Sequence, residues 1–176
     1  VFKLKNITVA EYLVSKDFLK YDEVLRFEAG QNFGHNISSN SYTNVKYCLS
    51  LLQKVSSFDT IIEVFEILFG IKEEELMQMR ILDYYRLRNH LINTMKLIQD
   101  NENKLAQSGK IDIGKWKMAG GDRLKPFDDL MPLDQLGERY GIYPYDIGRK
   151  PYSEVFMLMA GVKTLNEVNY NYTTMK

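Results

Sequence analysis

The chain has 176 residues, with 23 Lys plus Arg balancing 23 Asp plus Glu, so it is the length of one domain, or one domain with a small appendage, and carries no net charge. Its 45% apolar and 26% charged residues exclude a disordered chain, and the missing basic excess argues against non-specific nucleic-acid binding. A single cysteine, Cys48, excludes an internal disulfide framework and any multi-cysteine metal site.

The first helix signal is Thr8-Val9-Ala10-Glu11, a capping box in which Thr8 accepts from the amide three residues on and Glu11 reaches back. Tyr12, Leu13, Lys16, Leu19 and Lys20 then suit a short amphipathic turn or two. Residues 28–44, rich in Gly, Asn and Ser, read as a long irregular loop. A helix is expected from about Asn44 to Val55, with Val45, Cys48, Leu49 and Leu52 on one stripe. Ser57 or Phe58 opens the next, which carries Ile61, Phe65, Leu68 and Phe69 and ends at Gly70 in a left-handed cap. Lys72-Glu73-Glu74-Glu75 opens a short helix with its acids in the first turn. The longest signal runs from about Leu82 to Gln107, where Tyr84, Leu87, Leu91, Met95 and Ile98 fall three and four apart.

Beyond Ser108-Gly109 the pattern changes. Residues 110–118 alternate polar and apolar, which predicts a strand or extended arm followed by loop to residue 127. Pro132 suits the first turn of a helix closed by Gly141, Pro144 starts a segment ending at Gly148, and Pro151 starts a last helix closed by Gly161. The tail 166–176 reads as extended. The expected class is mainly α: a helical domain over 1–108, and an extension over 109–176 holding the extended segment near 110–118, two short helices and a tail.

No motif brings a catalytic constellation together. Gly109-Lys110 and Gly114-Lys115 lack the rest of a phosphate loop. Gly120-Gly121-Asp122-Arg123 reads as a turn, and His35 and His90 have no metal-ligand spacing. Cys48 sits in an apolar stripe as an inert thiol. Three consecutive helical acids at 73–75 fan about 100° apart and do not converge on one ion. Asp128-Asp129 suits helix capping. Arg86, Arg88, Asn89, Asn93 and Lys96 read as a solvated face of the long helix. No catalytic residue, cofactor or metal is therefore expected.

The most apolar stretch, 61–71, is interrupted by Glu63 and Glu66 and is too short to span a bilayer, and residues 1–5 lack the apolar core of a signal peptide. What remains is apolar surface suited to partner chains. The expected contact residues are Phe65, Leu68, Phe69, Leu76 and Met79 in the helical part, with Tyr140, Tyr143, Tyr152 and Phe156 in the Pro- and Gly-punctuated part.

Two passages carry a resemblance. Ile7-Thr8-Val9-Ala10-Glu11-Tyr12-Leu13 is followed by Phe58–Leu76, with its apolar helix, Gly70-Ile71 and acidic turn, and then by Ile81-Leu82-Asp83-Tyr84-Tyr85. Further on, Leu136–Pro144 and Pro151–Phe156 hold a "Y-G-x-x-P" and a "P-Y-x-E-V" pattern. Together these resemble the tail assembly chaperones of tailed bacteriophages, over about half the chain. The resemblance implies a non-enzymatic, mostly helical protein whose helical part binds the tape-measure protein and whose extension recruits tail-tube subunits. The matching positions are Leu68, Gly70, Leu76, Tyr84, Tyr140, Pro144, Tyr152 and Phe156. It implies a place in the host cytoplasm during assembly. A virion component at the neck, baseplate or capsid, contacting neighbouring subunits or its own copies, is the alternative, and a small nucleic-acid-associated regulator the next. The loop at 28–44 and residues 109–127 depart from the family pattern.

Overall fold

The computed structural model describes residues 6–15, 18–30, 34–54, 57–107, 113–127 and 130–175. Helix follows helix along them: α1 (Val9–Leu13), α2 (Phe18–Ala29), α3 (Tyr42–Lys54), α4 (Phe58–Phe69), α5 (Glu73–Gln78), α6 (Ile81–Gln107), α7 (Ile113–Met118), α8 (Met131–Tyr140), α9 (Pro144–Gly148) and α10 (Tyr152–Thr174). Among the described residues extended pairing is confined to two isolated bridges, Thr8 with Arg80 and Ser41 with Pro151. The class is mainly α, as the helical periodicity predicts.

Packing divides the chain into two compact units. One comprises Val1–Ile37 and Tyr47–Gln99, the other Ser38–Lys46 and Asp100–Lys176. Each is thus made of two stretches of chain, where the sequence suggests one contiguous boundary at residue 108.

In the first unit α1 starts on the expected capping box. The Glu11 amide donates to Thr8 Oγ1 at 3.2 Å, and the Thr8 amide donates to the Glu11 carboxylate at 2.8 Å. That amide holds the Glu11 carboxyl below its ordinary pKa. On either side of Thr8, Ile7 and Val9 exchange backbone hydrogen bonds with Ile81 and Met79 at 2.9 Å, which ties α1 to the α5–α6 junction. Ser57 caps α4 through the Thr60 amide at 3.2 Å. Gly70 closes α4 in the left-handed region at φ 69°, a conformation that costs a Cβ-bearing residue about 1 kcal/mol or more. Ile61, Val64, Phe65 and Leu68 of α4, Leu76 of α5 and Ile81, Tyr84, Leu87, Leu91 and Met95 of α6 are buried, with Val9, Tyr12 and Leu25. Cys48 of α3 is fully buried, and burial pushes its thiol up to about 12.

The polar side of α6 departs from the solvated face expected of it. The last carbonyls of a helix have no partner within it, and α2 ends at Ala29. Arg86 Nε donates to the Ala29 carbonyl at 3.1 Å, and Asn89 Nδ2 donates to those of Arg26 and Gly30 at 2.8 and 3.1 Å. One turn on, His90 Nε2 donates to the His35 carbonyl at 2.7 Å, and the His35 ring donates to that of Leu68 at 3.1 Å. Thus α6 acts as the C-terminal cap of α2, and both histidines are structural. The segment at 28–44 is also more regular than a loop: α2 continues to Ala29, a 3-10 turn covers Ile37–Ser39, and α3 begins at Tyr42.

Tyr12, Tyr84 and Tyr85 form an aromatic group with Phe65, at ring separations of 5.2–6.2 Å. The Tyr85 hydroxyl donates to the Asp22 carboxylate, which also pairs with Arg26 at 2.6 Å. Burial raises the pKa of all three phenols, and Asp22 raises that of Tyr85 further. An unfolded tyrosine loses its proton near pH 10, so above that pH the unfolded chain binds fewer protons than the folded one. Stability is therefore fully present below about pH 10 and lost as pH rises beyond it toward the folded values. The urea midpoint at pH 11 is expected to lie below that at pH 9, with a smaller fall in Tyr85→Phe. Equal midpoints in the native chain would contradict this.

In the second unit the Ser41–Pro151 bridge brings two elements together. The Tyr42 amide donates to Lys150 at 2.9 Å and the Tyr152 amide to Asn40 at 2.8 Å. The Tyr42 and Tyr152 rings stack at 5.8 Å, and Phe156 continues the stack at 6.0 Å from Tyr152. The Tyr152 hydroxyl donates to Glu102 at 3.0 Å, and Glu102 pairs with Lys46 at 2.8 Å.

Three expectations fail in this half of the chain. Residues 113–118 are helix α7 instead of strand, and Gly121–Phe127 is 3-10 helix; residues 108–112 and the Asp128-Asp129 pair lie outside the described residues. Ile113 and Trp116 stand three apart, so this short run fits the helical period as well as the alternating one. Gly161 does not end the last helix. It lacks the positive φ of a cap, and an interior glycine only costs a helix about 1 kcal/mol relative to alanine. The tail, expected extended, is helical to Thr174.

Candidate functional site

Helices α8 and α9 meet at a turn whose geometry glycine sets. Leu133 and Leu136 of α8 and Ile147 of α9 are buried, so the two short helices fold face to face. A Cβ on Gly137 would stand 2.7 Å from the Ile142 carbonyl oxygen and 3.1 Å from the Pro144 ring. The Gly137 carbonyl accepts from the Ile142 amide at 3.2 Å, and Gly141 caps α8 at φ 65°. Thr43 Oγ1 donates to the Gly148 carbonyl at 3.0 Å, holding the end of α9.

This tight turn leaves aromatic groups on the outside. Tyr140, Tyr143 and Tyr145 are 46%, 71% and 65% exposed, and Ile142 beside them is exposed as well. The Arg149 guanidinium lies 5.7 Å from the Tyr145 ring centre, a spacing at which a cation is attracted to the ring face. A tyrosine brings large contact area with few rotatable bonds to freeze, so such a cluster suits recognition of another chain.

The expected contact residues separate into three groups. Tyr140 and Tyr143 are exposed. Phe69, Met79 and Phe156 are half-buried, Phe69 with its ring 5.0 Å from His35 and 5.5 Å from Phe65. Phe65, Leu68, Leu76 and Tyr152 are core residues of their own units, at most 4% exposed; they present no surface to a partner and serve the fold. A further exposed apolar set, which sequence reasoning did not single out, is Leu165, Val168 and Tyr172 on α10 with Met175 at its C-cap. Their spacing of three, four and three residues was the available signal.

Two open depressions hold ionisable groups of one sign each: Glu73 and Glu74 beside Thr8 and Met77, and Arg123 beside Leu124 and Phe127. Among the described residues no three His, Cys, Asp or Glu side chains are grouped to hold a metal ion, and no helix is long and apolar enough to cross a membrane. No family model, curated protein or solved structure matches the chain.

Proposed function

We propose that this chain is a non-enzymatic assembly protein of the tailed-phage kind, binding partner chains through exposed aromatic and apolar helical surface. The observation that carries the reading is the tyrosine cluster at 140–145, held on the outside of the α8–α9 turn by Gly137. The partner class, tape-measure or tail-tube protein, comes from the resemblance of the two passages described above. In this reading the protein acts in the host cytoplasm during assembly.

The test is co-expression with a tape-measure fragment or a tube subunit, followed by pull-down. The native chain is expected to capture one of them. The double change Tyr140→Ala, Tyr143→Ala is expected to weaken capture ~30-fold or more, with helicity unchanged because both rings are exposed. Absence of capture with either partner counts against the reading. Mass spectrometry of purified particles distinguishes an assembly factor, absent from mature virions, from a stable virion component.

A further inference from the structure

Helix α10 outruns its own unit. Tyr152 and Val155 are buried, but every residue from Thr164 to Met175 is exposed. Within that stretch Leu165, Val168, Tyr172 and Met175 follow one another at intervals of three, four and three, and Leu158, Leu165 and Tyr172 recur every seven residues. They form one stripe. Lys163, Glu167 and Thr174 lie on the opposite side of the helix.

Such a helix does not hold itself. Thr, Asn, Val and Tyr make up most of residues 164–175, all weak helix formers, and a dozen residues without packing are marginal in water even for strong ones. The stripe therefore calls for a cover. We infer that the cover is the same stretch of a second copy of this chain, the two helices pairing along Leu165, Val168, Tyr172 and Met175.

Two observations favour a second copy over a different partner. The seven-residue recurrence is the spacing at which two like helices interlock side chain into gap. Charge gives the next: Glu167 is the one charged residue between Thr164 and Met175, and it lies away from the stripe. Two copies bring no like charges together there, and nothing on the stripe selects a charged partner. Area sets the strength. The exposed part of the helix, Thr164 to Thr174, is ~17 Å long, and a seam of that length covers roughly 600–800 Å² over both copies, the size of a weak, transient contact. The pairing is thus weak and reversible, and two-fold symmetric in the way of most homodimers. It uses different residues from the tyrosine cluster and stands independently of the tail-assembly reading.

Sedimentation velocity of the full chain across the micromolar range tests it. The native chain is expected to show a monomer–dimer equilibrium. Leu165→Asp is expected to raise the dissociation constant ~30-fold or more, and Tyr172→Asp, in the last turns, to repeat the loss. Tyr170→Asp removes an equally exposed ring off the stripe, and its effect is expected to stay within ~3-fold. Circular dichroism checks that each variant keeps its fold. A native chain that stays monomeric throughout overturns the inference, as does a dimer indifferent to Leu165→Asp or equally sensitive to Tyr170→Asp.

Discussion

Replacing Phe65 with alanine is expected to cost the first unit about 3–5 kcal/mol, the range for emptying an aromatic site in a close-packed core. Phe65 is fully buried, with the Phe69 and Tyr84 rings 5.5 and 5.9 Å away. Its neighbours come from α4 and α6, whose own backbones limit how far they can move into the space. A small domain is stable by about 5–15 kcal/mol, so the loss removes a large share. Urea unfolding followed by circular dichroism measures it. The same variant separates a core role from a partner role. A core residue shows its effect in the isolated chain, whereas a contact residue would leave the urea midpoint in place and weaken capture alone. A cost below about 1 kcal/mol would mean that the site collapses around the missing ring or was never closely packed.

The second large effect is expected in the other unit, from Glu102→Ala. Glu102 accepts from Tyr152 and pairs with Lys46, and the two charged side chains are only 19% and 17% exposed. Removing the carboxylate leaves an ammonium and a buried phenol without their shared acceptor. Breaking a buried pair in this way costs about 3–5 kcal/mol, and the residual exposure here lowers the expectation to about 2–3 kcal/mol. Glu102→Gln keeps an oxygen for the Tyr152 hydroxyl and is expected to cost less. The comparison is Glu154→Ala. Its pair with Lys150 is 47% and 36% exposed, and such surface pairs are worth between zero and about 1 kcal/mol. Equal losses in Glu102→Ala and Glu154→Ala would show that water screens both pairs alike.

What the sequence made legible was chemistry that closes within a few residues. The Thr8–Glu11 box, the Ser57 cap and the left-handed glycines at 70 and 141 are all local events, and all appear where the pattern predicts them. The buried stripe of α6 was legible because one face repeats at intervals of three and four from Tyr84 to Ile98. The tasks of Arg86, Asn89 and His90 were not, since the carbonyls they hold lie 55–63 residues away in the chain. Their side chains read as ordinary solvated groups until α2 is placed beside them. Residues 113–118 misled because a run that short satisfies two periods at once.

The candidate site divides along the same line. Phe65, Leu68, Leu76 and Tyr152 carry the same apolar signal whether their cover is the chain itself or a partner, and periodicity does not distinguish the two. The exposure of Tyr140 and Tyr143 has a different origin: they flank the glycine that ends α8, where a short helix has no further face to bury. The end of α10 was missed because its composition disfavours helix, although its spacing does not.

The crowding at Gly137 bears on ancestry. A side chain there would collide with backbone at Ile142, so a lineage retaining this bend must retain glycine even as the surrounding hydrophobic positions drift among Leu, Ile and Met. Together with Gly141 and Pro144 it writes a Gly-x-x-x-Gly-x-x-Pro signature fixed by sterics.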